Sequence, residues 1–151
     1  MDICHETLVF ERVFAAPPTR LFQAYRDPEM RQAWSAPSPD TAVVIDAADV
    51  RTGGRETARC GRPEDLRWRL ELFYHRVIEN RLIAFTETLW EGDALLTVAL
   101  ITFDFEPHGA VETRLRLTDQ VTSFVGAGGP AGHRDGYKKA LANLEKALAP
   151  V

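Results

Sequence analysis

The sequence predicts an α+β fold, in which an antiparallel sheet folds around one long helix near the C-terminal end of the chain. Residues 136–149 read GYKKALANLEKALA, and their apolar side chains recur at the three-then-four spacing of one helix face. Almost everything between Leu66 and Leu117 alternates apolar and polar residues, as half-buried strands do. Because an amphipathic helix must bury its apolar face, we expect the sheet to cover it.

Length and composition indicate one domain spanning residues 1–151, large enough to fold without disulfide or metal support. The net charge of −4 and the lack of a Lys/Arg cluster argue against a nucleic acid or an anionic membrane surface as a partner. The first residues contain no long apolar run, so we predict neither a signal peptide nor a membrane span. We therefore expect a cytoplasmic protein.

Cysteine and histidine are too sparse to indicate a metal site or a disulfide framework. Cys4 and Cys60 lie far apart and in no Cys-x-x-Cys pattern, which predicts two reduced thiols. The four histidines occupy separate segments, without the close spacing of common metal sites. We therefore predict no bound metal and no cofactor.

The first part of the chain combines one strand with two short helices. Residues 7–14 alternate and are rich in β-formers, although the pattern leaves open which side faces inward. After a proline break, residues 19–25 show helical spacing. Asp27 can cap a second short helix over residues 28–33, which Trp34 closes.

Six further strands are predicted between these helices and the last one. They cover residues 41–46, 55–60, 66–77, 81–90, 95–105 and 111–118. The strongest turn signal, Arg51-Thr52-Gly53-Gly54, joins the first two as a hairpin. In the third, Phe73 and Val77 interrupt the alternation, which indicates either a bulge or a strand covered on both sides.

A glycine-rich stretch, residues 126–132, precedes the final helix. It lacks the Lys-Ser/Thr ending of a phosphate-binding loop, so we predict a flexible approach to the helix instead. We expect the helix to begin at Asp135, whose charge suits the positive end of the helix dipole, and to stop at Pro150.

Four blocks of the sequence, in this order and spacing, are similar to a known family. They are Arg12-Val13-Phe14 with Ala16-Pro17, Leu21-Phe22-Gln23-Ala24-Tyr25, Asp27-Pro28-Glu29 and Trp34; then Asp49-Val50-Arg51-Thr52-Gly53-Gly54; then Arg81-Leu82-Ile83-Ala84-Phe85-Thr86; then Thr113-Arg114-Leu115 with Gly136-Tyr137. They cover almost the whole chain. The chain thus resembles the START-like (SRPBCC, Bet v 1-like) superfamily and, within it, the bacterial AHSA1-like family, named after homology to the activator of the Hsp90 ATPase.

The resemblance implies a helix-grip fold, in which a curved antiparallel sheet of about seven strands grips the C-terminal helix, with two short helices beneath. Such proteins often keep a cavity between sheet and helix. The family is functionally diverse, so this fold does not by itself name an activity.

No catalytic residue is assigned from the sequence. Neither His75 nor His133 lies in a signature of known nucleophile and base pairs. The carboxylates closest to the predicted cavity are Glu71, Glu79 and Glu87, and the alternation favours a solvated strand face for them. We therefore expect ordinary titration of Glu87 and His75 rather than pKa values shifted by burial.

Six aromatic side chains are expected to converge on the space between sheet and helix. These predicted ligand-binding residues are Trp34, Trp68, Tyr74, Trp90, Phe103 and Tyr137. Core packing accounts for most such residues in proteins, yet polar ring edges among apolar walls are also how small-molecule sites are built.

The leading hypothesis is therefore a module that binds a small apolar or aromatic molecule, with neither nucleic acid nor membrane as a partner. The resemblance implies two alternatives. One is a cyclase/aromatase-like enzyme that uses the same cavity, and the other is a co-chaperone-like domain that binds a chaperone ATPase. The second needs an exposed apolar patch, which the pattern does not indicate. A homodimer is a further open alternative.

Overall fold

The computed structural model describes residues 1–149 of the chain. The strands are β1 (Cys4–Phe14), β2 (Ala42–Ala48), β3 (Arg55–Arg62), β4 (Asp65–Ile78), β5 (Leu82–Glu91), β6 (Ala94–His108) and β7 (Glu112–Ser123), and the helices are α1 (Pro18–Arg26), α2 (Pro28–Ser35) and α3 (Gly128–Leu148). All seven strands form one antiparallel sheet in the order β1-β7-β6-β5-β4-β3-β2. This architecture confirms the predicted α+β helix-grip fold.

The pairing of β1 with β7 explains why both strands run longer than the sequence pattern predicts. All 11 residues of β1 have a partner on β7, starting with Cys4 opposite Ser123. The pairing provides hydrogen bonds for the backbone N–H and C=O groups at the strand ends, where the side chains show little hydrophobic alternation. Leu8 and Phe14 are buried whereas Val9 is 48% exposed, so the side of β1 that carries Leu8 faces inward.

A bulge in β4 accounts for its interrupted alternation. The pairing with β5 shifts register between Tyr74 and Arg76, and this shift returns Val77 to the core. Phe73 lies on the other face, where its ring packs 4.7 Å from that of His75. Of the two alternatives left by the sequence, the structure shows the bulge.

The hairpin between β2 and β3 requires glycine at two successive positions. Gly53 has a φ of +85°, a conformation that other residues rarely adopt. At Gly54, a Cβ atom would lie 1.9 Å from the carbonyl oxygen of Asp49. The amide of Gly53 donates to the carbonyl of Tyr74, and the amide of Tyr74 donates to the carbonyl of Gly54. The turn is therefore tied to β4 through its backbone.

The two short helices are joined at the predicted cap. The Asp27 carboxylate accepts hydrogen bonds from the amides of Glu29 at 2.9 Å and Met30 at 3.3 Å, which satisfies free donors at the start of α2. At the other end of α2, the indole of Trp34 donates to the carbonyl of Ala24 in α1 at 3.0 Å. This bond holds the helical pair together.

The last helix begins at Gly128, so the prediction of a flexible approach over residues 126–132 was wrong. Glycine is common in loops, but here it permits close packing, because a Cβ atom at Gly129 would lie 2.3 Å from the hydroxyl oxygen of Ser123 on β7. Pro130 lies in the first turn, where its missing N–H removes no helical hydrogen bond.

The predicted helix ends also change with this longer helix. Asp135 lies inside α3 rather than at its start, and its carboxylate pairs with Lys139 one turn later at 2.9 Å. Pro150, the predicted stop, lies outside the described residues.

The second half of α3 fills the space against the sheet. Its stripe of Ala140, Leu141, Leu144 and Leu148 is buried, and the helix packs on α2, β1 and β7. Among the described residues, none of the helices is both long and apolar enough to cross a membrane.

Candidate functional site

A cavity of about 520 Å³ lies between the sheet and the first half of α3. The helix leaves this room because one row of its cavity-facing residues is small, beside the larger His133 and Tyr137. Gly128, Gly132, Gly136 and Ala140 recur every four residues along one helix face and all line the cavity. Further along the same face, Leu144 is buried in the core and closes the space.

Four of the six predicted ligand-binding residues line this cavity. They are Trp34, Trp68, Phe103 and Tyr137, which come from α2, β4, β6 and α3. The rings of Phe103 and Tyr137 meet edge to face with their centroids 6.3 Å apart. Leucines such as Leu70 and Leu89 complete the apolar part of the wall.

Trp90 does not face the cavity, which corrects the sequence-based expectation. On β5 the inward positions are Phe85, Glu87 and Leu89, which are alternate residues of the strand. Trp90 therefore lies on the opposite face, where its indole donates to the hydroxyl of Thr88 at 2.9 Å. The guanidinium of Arg69 covers the ring at 5.2 Å.

Tyr74 is on the expected face but lies beneath the cavity wall, in a buried polar cluster. Its hydroxyl donates to Glu56 at 2.9 Å and lies 3.0 Å from the hydroxyl of Tyr25. Burial is the main cause that raises the pKa of both tyrosines, so both phenols stay neutral.

The charged members of this cluster are Arg31 from α2 and Glu56 from β3. The two terminal nitrogens of Arg31 donate to the two carboxylate oxygens of Glu56, at 2.9 and 2.5 Å. Both side chains are almost fully buried, and the guanidinium also covers the ring of Tyr25 at 4.3 Å. Within residues 1–149, the Nε of Arg31 has no hydrogen-bond partner. The pair neutralises its own charge at one side of the cavity.

A second buried pair joins α3 to β7. The Nδ1 of His133 donates to the carboxylate of Asp119 at 2.6 Å, and the Nε2 of His133 lies 3.3 Å from the hydroxyl of Thr97. Burial alone would lower the pKa of His133, but the hydrogen bond to Asp119 and the charges of Glu87 and Asp119 outweigh it and raise the pKa. His133 thus presents a fixed, readily protonated imidazole at the cavity.

Glu87 lines the cavity between these two pairs. Its nearest neighbours across the sheet are Leu72 on β4 and Ala99 on β6. Burial is the main cause that raises the pKa of Glu87 to about 7, while the charge of His133 acts in the opposite direction. The expectations of a solvated face and an ordinary titration for Glu87 were therefore wrong.

The other candidates from the sequence do not join this site. Glu71, Glu79 and His75 are exposed, and the imidazole of His75 bonds the hydroxyl of Thr86 on the outer face. Cys60 lines the cavity as a free thiol, and burial raises its pKa to about 11, so it is a poor nucleophile. No cluster of three potential metal ligands occurs within the part of the chain that the structure describes.

The sequence offered Glu87 and His133 as candidates, but neither was expected to belong to the site, for different reasons. Glu87 occupies an inward position between Phe85 and Leu89, so the alternation of β5 carried a usable signal. No sequence pattern indicated His133, because the glycines around it argue against the helix that carries it. It lies one helical turn before Tyr137, which also lines the cavity.

Taken together, the cavity offers apolar and aromatic walls with polar groups at three places. Arg31 and Glu56 form a neutral pair, His133 is oriented by Asp119, and Glu87 is a carboxyl group with a pKa near neutrality. This arrangement can enclose an apolar molecule and hydrogen-bond to a polar group on it. It also contains groups able to give and take protons near pH 7.

Comparison with known proteins places the chain among structurally similar bacterial proteins. A protein from Rhizobium leguminosarum superposes with a TM-score of 0.86 at 27% identity, covering 97% of this chain and 96% of its own. A protein from Rhizobium loti superposes with a TM-score of 0.82 at 25% identity, covering 98% of this chain and 100% of its own. A protein from Chromobacterium violaceum superposes with a TM-score of 0.84 at 19% identity, covering 96% of this chain and 98% of its own. This similarity shows a shared fold.

A search of curated proteins found no match. Residues 15–149, by contrast, match the family described as "Activator of Hsp90 ATPase homolog 1-like protein". This match includes every residue that forms the cavity wall. The chain therefore belongs to the activator of Hsp90 ATPase homolog 1-like family.

Proposed function

We propose that this protein is a binding module that holds a small apolar or aromatic molecule between the sheet and α3. The observation that carries the proposal is the cavity of about 520 Å³, walled by Trp68, Phe103 and Tyr137. Small-molecule sites in proteins fall in the range of about 300–1,000 Å³ and combine apolar walls with a few polar groups.

The construction of the cavity supports the same function. A fold that needed this space only for stability would fill it with side chains, because empty apolar volume is costly. Instead, α3 places Gly128, Gly132 and Gly136 at three successive turns facing the cavity. The same helix face carries Leu144 and Leu148 further along, where it is buried in the core. A ligand that covers the aromatic walls gains about 0.8 kcal/mol for each CH₂-sized group that it removes from water.

An apolar fluorescent probe, N-phenyl-1-naphthylamine, tests the proposal. It should bind the wild-type protein and quench tryptophan emission, since Trp34 and Trp68 line the cavity. Gly136→Leu should abolish this binding by filling the space, because nothing lies within 4 Å of a Cβ atom at that position. The variant should still fold, as leucine is a better helix former than glycine.

Lys139→Leu is the matched control. It adds a leucine at an exposed position of α3, outside the cavity, and should leave probe binding unchanged. Equal binding by the wild type and Gly136→Leu, or no binding by the wild type, would refute the proposal.

A specific observation favours an acid–base enzyme that uses the same cavity as a second candidate. His133, oriented by Asp119, and Glu87 line one space and both have pKa values raised above their usual values. Ionised Glu87 could remove a proton from the carbon beside a ketone while the His133 imidazolium donates a hydrogen bond to the ketone oxygen.

Hydrogen exchange of 2-tetralone in D₂O tests this second candidate by NMR. The wild type should accelerate exchange at the carbons beside the carbonyl, and Glu87→Gln should lose the acceleration. An exchange rate equal to that in buffer would exclude the enzyme candidate while leaving the binding module intact.

A further inference from the structure

We infer that the ligand of this cavity is a neutral apolar molecule with one acceptor oxygen, such as a ketone, and that the carboxyl group of Glu87 binds this oxygen. The inference rests on the proposed binding function and names the chemical class of its ligand.

The charged side chains around the cavity are paired, except for Glu87. The cavity wall carries two cationic side chains, Arg31 and His133, among the described residues. Each already faces a buried carboxylate, because Arg31 pairs with Glu56 and His133 pairs with Asp119. Glu87 is the carboxyl group left over, and within residues 1–149 it makes neither an ion pair nor a hydrogen bond.

The surroundings of Glu87 favour the neutral form of its carboxyl group. Between Leu72 and Ala99, an ionised carboxylate would be poorly solvated and would carry an unmatched charge. The neutral acid avoids that cost, and its O–H group then needs an acceptor. A ligand oxygen can supply this acceptor, which the protein wall itself does not.

Charged ligands are disfavoured beside Glu87. The cations His133 and Arg31 and the anions Asp119 and Glu56 act there in opposite directions, so these paired charges offer a charged ligand group little net attraction. An ammonium group would also require Glu87 in its ionised form, whereas a neutral ligand avoids the desolvation of a second charge. Its apolar body suits the aromatic wall, so recognition reduces to one hydrogen bond placed in an apolar cavity.

Ligand affinity should then depend on pH through Glu87. The titratable and charged groups that face it are Glu56 and Cys60 from β3, Asp119 from β7, Tyr25 from α1, Arg31 from α2, and His133 and Tyr137 from α3. The pKa of free Glu87 is raised to about 7, and a bound ketone would raise it further by accepting the proton in a hydrogen bond. Ketone affinity is therefore highest below about pH 7 and falls above it.

Four ligands with one naphthalene skeleton test the inference. They are 2-ethylnaphthalene as the apolar reference, 2-acetylnaphthalene as the ketone, 1-(2-naphthyl)ethylamine as the cation and 2-naphthoate as the anion. Dissociation constants are measured by tryptophan quenching at pH 6 and at pH 8.5. At pH 6 the ketone should bind about tenfold more tightly than the ethyl compound and more tightly than either charged ligand. At pH 8.5 this advantage should disappear.

Two variants locate the effect. Glu87→Leu removes the carboxyl group at nearly constant volume, so it should bind the ketone and the ethyl compound equally at both pH values. Glu71→Leu changes an exposed glutamate on the outer face of β4 and should retain the wild-type ratio.

The result separates this inference from the binding function on which it rests. If the ethyl compound binds and the ketone has no advantage in the wild type, the inference fails and the binding module stands. A ketone advantage retained in Glu87→Leu, or tighter binding of a charged ligand at pH 6, overturns it as well. If none of the four ligands binds, both proposals fail.

Discussion

Replacing Glu87 by glutamine should make the protein more stable at alkaline pH. The pKa of Glu87 rises from 4.5 to about 7 on folding, chiefly through burial. Because the folded state holds this proton more tightly than the unfolded state, stability is highest below about pH 4.5 and falls as pH rises toward 7. One pKa unit corresponds to about 1.4 kcal/mol, so the whole loss is about 3 kcal/mol.

Glutamine has nearly the same shape as glutamate and cannot ionise, so Glu87→Gln should escape this loss. The assay is urea unfolding of both proteins from pH 5 to pH 8, which compares their free energies of unfolding at each pH. The difference in favour of Glu87→Gln should grow by about 2 kcal/mol or more over this range. Glu71→Gln, at an exposed position, should follow the wild type. Parallel stability profiles for Glu87→Gln and the wild type would refute the raised pKa of this half-buried, unpaired carboxyl group.

Two further predictions concern stability and use the same urea assay. Leu144→Ala should cost about 2–5 kcal/mol, because Leu144 is only 3% exposed beneath the sheet, whereas Lys146→Ala on the exposed side should change stability by about 0.5 kcal/mol or less. Equal losses would show that the sheet does not grip this helix. Arg31→Met should cost about 3–5 kcal/mol by leaving Glu56 buried without its cation, and adding Glu56→Gln should recover part of that loss. A double variant no more stable than Arg31→Met would contradict this explanation.

Most elements of the fold could be predicted from the sequence, because each of them rests on a local pattern. Alternation predicted the strands, and the stripe that contains Leu144 predicted a helix buried by the sheet. The glycine pair Gly53-Gly54 predicted a hairpin turn, which needs a positive φ and a close backbone approach. Asp27 predicted the start of α2 for an equally local reason, the capping of free amides.

Which side chains meet at the cavity depends on strand pairing and helix packing, which a local pattern does not show. Strand pairing set the register of β5 and so directed the face with Glu87 and Leu89 to the cavity, which leaves Trp90, the next residue, on the outer face. Residues 128–148 are helical despite the low helix propensity of glycine, and Gly129 in the first turn packs closely on Ser123 of β7.

The chemistry of the site depends on contacts between distant elements. Asp119 orients His133 across the gap between β7 and α3, and the burial of Glu87 depends on the helix that covers its strand. The pKa of a side chain is determined by its solvation and by neighbouring charges, and the fold brings both from residues remote in sequence. For this reason the sequence predicted the apolar walls of the cavity, whereas its polar groups became apparent only in the folded protein.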